Sequence, residues 1–181
     1  MQAHDAKPDW LLIGRQVRAV YDDDKRITRG DRAALRRCAT PSEIQLEGAF
    51  WQLAAGTPER GRDALAAAVC CFPACDNAPS DSLRFGSWLR SRMQADRREL
   101  RDGDAMRGRR LLSAAERADL AHQLRRTLTQ LGAALDWGAL TRDLYVWNLG
   151  GPRRDQVRRR WAQDFYSATE EEIHATQEDA P

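Results

Sequence analysis

The stretch that decides the fold is SAAERADLAHQLRRTLTQL, residues 113–131. Its leucines recur every three or four positions, which is the spacing of one apolar face of an α-helix. They are Leu120, Leu124, Leu128 and Leu131. The first four residues, 113–116, have the form of a capping box, in which a serine and a glutamate bond free amides of the first turn. The stretch therefore predicts a long amphipathic helix that begins at Ser113.

The same periodicity extends in both directions from this stretch. Earlier apolar residues predict helices that follow Trp10, Asp31, a capping box at 40–43, Thr57-Pro58 and Ser80-Asp81. Later in the chain, Asp136 and the segment 150–152 precede two further helices, one with Trp137, Leu140, Leu144 and Trp147 and one with Val157, Trp161 and Phe165. No alternating strand pattern occurs. We therefore predict an all-α, compact bundle of about eight or nine helices without a β-sheet.

The domain organisation follows from the breaks in this pattern. Residues 73–80 form the best candidate linker, so residues 1–169 are predicted as a single all-α domain with packed helical halves at about 9–75 and 81–169. Residues 170–181 are predicted to be an acidic, disordered tail. The charged segment 97–110 contains two glycines and predicts a short helix and a mobile loop.

Charge is distributed unevenly along the chain. The formal net charge is +2, yet five acids lie after Thr169, and without them 29 basic residues face 22 acidic ones. Arginine accounts for all the basic residues except Lys7 and Lys25. Its planar guanidinium matches phosphate geometry, although a GC-rich genome also favours arginine codons. The clustering of the arginines is therefore more informative than their number.

The arginines gather opposite the apolar stripes of three predicted helices. The clusters are Arg32, Arg36 and Arg37; Arg117, Arg125 and Arg126; and Arg153, Arg154, Arg158, Arg159 and Arg160. A solvated face with salt bridges explains any one of these arginines. Three clusters on one small protein favour a polyanionic partner, and nucleic acid is the best candidate.

The sequence favours neither catalysis nor metal binding. It contains no GxGxxG, GxxxxGK[ST], HExxH or GxSxG motif, so we predict that the protein is not an enzyme and uses no cofactor. The cysteines Cys38, Cys70, Cys71 and Cys75 form no CxxC pair and lack a fourth local ligand. We expect them to be buried thiols, with no bound metal.

No targeting or membrane signal is visible. The longest stretch without charge, residues 64–75, is too short to span a bilayer and contains Pro73. The first ten residues are polar, so a cytoplasmic location is predicted. Most of the aromatic residues are expected in the core, with Trp51, Trp88 and Tyr166 as the candidates for stacking on bases.

The order and spacing of these segments resemble the CasB family, the small subunit of the type I-E CRISPR surveillance complex called Cascade. The resemblance covers roughly residues 9–166. The segments that carry it are 35–37, 41–43, 49–53, 123–128, 135–137, Trp147, 153–156 and 164–165.

The resemblance implies a non-catalytic, all-helical subunit that is present in two copies. Its implied partners are other Cascade subunits, the guide crRNA, and single-stranded and double-stranded DNA, with target and displaced strands held without sequence preference to stabilise the R-loop. By position, with Arg158 added from the same helix, the candidate nucleic-acid-binding residues are Arg36, Arg37, Arg125, Arg126, Arg153, Arg154 and Arg158. Segment 97–110 and the acidic tail depart from the family pattern. A helical adaptor whose arginines form interface salt bridges with protein partners stays open as the alternative.

Overall fold

The computed structural model describes residues 8–76, 84–93, 102–114, 116–132 and 134–167. Within these ranges the chain forms ten α-helices and no β-sheet, which confirms the predicted all-α class with one or two helices more than expected. The helices are α1 (Trp10–Asp22), α2 (Arg29–Arg37), α3 (Pro41–Ile44), α4 (Gly48–Leu53), α5 (Arg62–Cys71), α6 (Phe85–Met93), α7 (Asp102–Ser113), α8 (Arg117–Leu131), α9 (Trp137–Asn148) and α10 (Gly151–Tyr166). Short 3-10 helices, Glu59–Gly61 and Phe72–Ala74, flank α5.

Helices α1 and α9 pack along each other and join the two ends of the sequence. Their backbones cross closely at Gly14, where a β-carbon would lie only 2.6 Å from the Thr141 side chain. Nearby, Trp10 stacks on Tyr145 with 4.2 Å between ring centroids. The buried residues of both sequence halves consequently belong to one hydrophobic core.

The predicted cap of α9 is confirmed and has a second role. The Asp136 carboxylate accepts hydrogen bonds from the backbone amides of Gly138 and Ala139 at the start of the helix. It also pairs with Arg15 of α1 at 2.8 Å. This hydrogen bond raises the pKa of Arg15 against the opposing effect of burial. One buried carboxylate therefore begins α9 and fastens it to α1.

Helix α5 lies at the centre of the fold and is buried over eight consecutive residues, Ala64 to Cys71. The predicted burial of all four cysteines is confirmed, and all are free thiols. Burial raises the pKa of the Cys71 thiol and raises that of Cys75 to about 12. Among the described residues, no cluster of three or more possible metal ligands occurs, and no helix is long and apolar enough to cross a membrane.

Arg18 shows that arginine also serves as a core residue here. Its side chain is buried, donates to the carbonyl oxygens of Phe72 and Cys75 at 2.9 Å, and pairs with Asp22 at 2.8 Å. The guanidinium carbon also lies 5.3 Å from the centroid of the Trp137 ring. Arg18 thus ties the end of α5 and its 3-10 extension to α1.

The predicted apolar stripes of the last three helices are confirmed. In α8 Leu120, Leu124 and Leu128 are fully buried, and Leu131 packs against the core from its edge. In α9 and α10 every predicted stripe residue is buried.

Several predicted boundaries were wrong. Ser113 does not cap α8: it ends α7, its hydroxyl donates to the Arg110 carbonyl, and Glu116 precedes α8 without a side-chain cap. The helix expected from Thr57-Pro58 starts later, because residues 59–61 form a 3-10 turn with Gly61 against the Trp10 ring. The helix expected through residues 43–53 is divided into α3 and α4.

Two expectations fall partly or wholly outside the described residues. Helix α7 occupies residues 102–110 of the segment for which a short helix and a loop were predicted, and the remainder, 97–101, is not described. The predicted tail, 170–181, also lies outside the described residues.

Candidate nucleic-acid interface

Arg125 joins the end of α2 to the middle of α8. Its guanidinium donates to the backbone carbonyl of Cys38 and, at 2.5 Å, to that of Arg36. These carbonyls belong to the last turn and the C-cap of α2, where helical partners are lacking. Because Arg125 comes from a helix almost 90 residues further along the chain, it brings two sequence-distant arginine clusters together.

The clusters meet at an open groove of about 410 Å³, here called the α2–α8 groove. Its lining residues are Arg37, Ala39, His122, Arg125, Arg126, Thr129 and Gln130. Arg37, His122 and Arg126 are exposed to solvent, whereas Arg125 is half-buried. None of the lining residues is Asp or Glu. The groove therefore presents two exposed arginines to solvent, with a histidine beside them.

The position of Arg125 makes this groove more favourable for an anion. A helix C-terminus carries a partial negative charge, because its last carbonyls have no intrahelical partners. Arg125 engages two such carbonyls of α2 and so reduces the repulsion of a phosphate placed beside Arg37. Burial raises the pKa of the neighbouring Cys70 thiol, and Arg125 partly opposes that shift.

The second basic surface lies on α10, which packs against α6, α7 and α9. Arg153 and Arg159 are exposed, whereas Arg154 and Arg158 are half-buried. Arg158 donates to the Leu112 carbonyl of α7 at 2.7 Å and lies 3.7 Å from Asp155. The cationic surface of α10 is thus partly used within the protein itself.

A buried carboxylate on α9 holds α10 in place. Asp143 is only 3% exposed, accepts a 2.7 Å hydrogen bond from the indole Nε1 of Trp161, and pairs with Arg160 at 2.6 Å. Arg142 also lies within 3.4 Å of the same carboxylate. Asp143 therefore fixes both the apolar and the cationic sides of α10 relative to α9.

A comparison of the sequence with known families settles the class of protein. The sequence model of the family described as "CRISPR-associated protein Cse2" matches residues 31–166, and this region extends from within α2 to the end of α10 and includes both basic surfaces. The chain belongs to the Cse2 family. The resemblance to CasB, another name for this family, is therefore confirmed. A search of curated proteins found no match.

A solved relative supports the Cse2 fold over most of the chain. The match is to a chain in the crystal structure of E. coli Cascade bound to a PAM-containing dsDNA target. The two chains align with a TM-score of 0.62 and 22% sequence identity, covering 88% of this chain and 97% of the other. At this identity the similarity establishes a shared fold.

Within this Cse2 fold the predicted site residues fall into two groups. The structure brings Arg36, Arg37, Arg125 and Arg126 together at one end of α2, whereas Arg153, Arg154 and Arg158 lie on α10. The principal packing partners of α2 are α4 and α5, and those of α10 are α6, α7 and α9. The two surfaces are thus held by different parts of the core.

Sequence reasoning missed His122 as a groove residue and was wrong about one aromatic. His122 precedes Arg126 by one helical turn, a signal that was present in the spacing. Trp88 is only 2% exposed and its indole donates to the Ala134 carbonyl, so it is a core residue and cannot stack on bases. Trp51 and Tyr166 are each about half exposed, at 49% and 47%.

Proposed function

We propose that this chain is a non-catalytic small subunit of a type I-E CRISPR surveillance complex that holds target and displaced DNA strands and stabilises the R-loop. The observation that carries the proposal is the α2–α8 groove, in which Arg37 and Arg126 are exposed and no carboxylate is a lining residue. Membership of a CRISPR-associated family supports the part of the proposal that places the chain in a CRISPR surveillance complex.

The chemistry of the groove suits a contact with the nucleic-acid backbone. Guanidinium groups bind phosphate oxygens, and such contacts carry no direct sequence information. Formation of an R-loop exchanges one duplex for another of similar stability, so a few backbone contacts are enough to shift the balance. A subunit of this kind accepts any target and leaves specificity to the guide.

Not all seven candidate arginines have the same role in this proposal. Arg37, Arg126 and Arg153 are exposed and bind phosphate directly, and so does the exposed Arg36, whose carbonyl accepts a hydrogen bond from Arg125. Arg125 is a positioning residue, because its guanidinium already bonds two carbonyls of the α2 end. Arg158 and Arg154 support the α10 surface from half-buried positions.

The proposed complex also requires contacts between proteins, and the region of α3 and α4 exposes apolar side chains that suit such contacts. Leu46 is 85% exposed between α3 and α4, and Trp51 of α4 is close to half exposed. Exposed large apolar side chains of this kind favour a protein interface. In this proposal the partners are other Cascade subunits, the crRNA-bearing backbone and a second copy of the chain, in the cytoplasm.

The proposal is tested by binding of fluorescein-labelled random DNA, single-stranded and double-stranded, at two or more salt concentrations. If four to six arginines engage single strands, the slope of log K against log salt should be about −3 to −4, with equal affinity for different sequences. Absence of binding at low salt would contradict DNA binding by the free chain. It would favour the alternative adaptor, which instead predicts co-purification with protein partners without DNA.

A further inference from the structure

The acidic segment after α10 has no part in the function described so far. The family match ends at residue 166, and the segment 168–181 continues beyond it with Glu170, Glu171, Glu172, Glu178 and Asp179. The segment contains no lysine or arginine. It is therefore a short polyanion covalently attached to a protein whose remaining residues carry a net positive charge.

A basic groove lies close to the point where this segment begins. It runs between α7 and α10, has a volume of about 340 Å³, and is lined by Leu112, Asp155, Arg158, Arg159 and Ala162; we call it the α7–α10 groove. Arg159 is exposed. Arg109 is also exposed and precedes Leu112 by one helical turn, so it lies on the side of α7 that borders the groove.

The two helices that form this groove are antiparallel. A β-carbon at Gly108 would lie 2.5 Å from the Phe165 ring, and further along both helices Arg158 donates to the Leu112 carbonyl. The groove therefore runs along the middle of α10, and Ala162 is its lining residue nearest to the C-terminal end of that helix.

The acidic residues can reach this groove. Arg159 and Tyr166 are seven residues apart in the same helix, which corresponds to about 10 Å along its axis. The five residues 168–172 span up to about 17 Å when extended. The three consecutive glutamates are therefore within reach of Arg158 and Arg159. Phosphates of a nucleic acid would meet the same arginines.

We propose that the acidic segment 168–181 occupies the α7–α10 groove of its own chain and competes there with nucleic acid. Charge complementarity supports this occupant, because three adjacent glutamates meet three arginines of the groove and its border, and Asp155 is the one acidic lining residue. The competition rests on the proposed function, whereas occupancy of the groove does not. The segment would restrict DNA binding to sites where the nucleic acid displaces it.

Occupancy is measured directly by comparing backbone amide NMR shifts of the full chain and its E170Q/E171Q/E172Q variant, which has the same length. We expect shifts at Leu112, Arg158, Arg159 and Ala162, and none at Arg126 or Thr129 of the α2–α8 groove. Unchanged shifts along the α7–α10 groove would overturn the proposal. Shifts that grow with protein concentration would also overturn it, because they would place the segment on a second copy.

Competition is measured with a labelled oligothymidine at low salt. The triple-glutamine variant should bind roughly tenfold more tightly than the full chain, as expected when the ion pairs of the three glutamates with the arginines of the groove and its border no longer have to be broken. In an R109Q/R159Q background the gain should fall to within about twofold, because the groove has lost its exposed cations. An equal gain in both backgrounds would indicate long-range repulsion and overturn the proposal. If no variant binds DNA, the proposed function fails for the free chain, while the NMR shifts still decide occupancy.

Discussion

The α2–α8 groove and the α7–α10 groove contain the same type of side chain in different electrostatic settings. In the first, the half-buried Arg125 satisfies the carbonyls at the end of α2, and the exposed arginines have no acidic neighbour in the lining. In the second, Arg158 already donates to a carbonyl, and Asp155 lies beside it. The number of arginines in a cluster therefore predicts little, and the bonds that they already make decide how much positive charge is available to a phosphate.

The largest expected effect concerns Asp143, which holds the helix that presents the second surface. Asp143→Ala leaves the Trp161 indole without its acceptor and the Arg160 guanidinium without its ion-pair partner, and should lower the free energy of unfolding by about 2–4 kcal/mol. Urea denaturation measures this. Asp155→Ala, which removes a half-buried carboxylate of α10, is the matched control and should change stability by less than about 0.5 kcal/mol. Equal losses for the two variants would contradict the special role of Asp143.

The next largest effect distinguishes Arg125, which positions the end of α2, from Arg126, which binds phosphate in the same α2–α8 groove. Arg125→Met retains the aliphatic stem but removes two hydrogen bonds to α2, so it should cost about 1–3 kcal/mol of stability. It should also weaken DNA binding, because the end of α2 loses its attachment. Arg126→Met should weaken binding with a change in stability below about 0.5 kcal/mol. Thermal unfolding and DNA titration of both variants test this, and unchanged stability of Arg125→Met would contradict the assignment.

A third prediction compares the α2–α8 groove with the basic surface of α10 by charge alone. R37Q/R126Q should lower affinity for single-stranded DNA roughly tenfold at low salt and flatten the salt slope by about 1.4, which corresponds to two lost phosphate contacts. R153Q/R159Q, with the same loss of charge, should lower affinity by about threefold or less, because the α10 surface is partly neutralised. Anisotropy titrations at several salt concentrations measure both pairs. The reverse order would overturn the comparison.

The smallest expected effect concerns Asp155, the acidic lining residue of the α7–α10 groove. Asp155→Asn removes the carboxylate next to Arg158 and should raise DNA affinity by about twofold at low salt. Glu59→Gln, an exposed neutralisation in the 3-10 turn, provides the control for the change in net charge. If the two variants gave the same affinity, the local role of Asp155 would be excluded.

Much of the fold was predictable from local sequence. The leucine stripe of α8, the aromatic stripes of α9 and α10 and the cap at Asp136 depend on residues a few positions apart, so helical periodicity reveals them. The capping box at Ser113 was wrong because α7 continues to that residue. Ser113 lies in the last turn of α7, where its hydroxyl donates to the Arg110 carbonyl, and α8 begins only at Arg117.

The site was predictable in composition but not in arrangement. The arginine clusters and their helices follow from the sequence, and the sequence spacing places His122 one turn from Arg126. No local pattern shows that Arg125 donates to Arg36, 89 residues away, or that Arg158 donates to Leu112 of another helix. Tertiary contacts of this kind decide which arginines remain available, and they become visible only once the helices are packed.

The proposed role of the α2–α8 groove is tested most directly by the lifetime of the R-loop. The lifetime is measured on the assembled complex whose small subunit is this chain with Arg37→Glu and Arg126→Glu. A control complex contains Arg29→Glu and Arg60→Glu, which change the net charge equally at exposed positions outside both grooves. We expect the target to be released at least about tenfold faster from the first complex, because two phosphate contacts become repulsive. Equal lifetimes for both complexes and the unaltered one would contradict it.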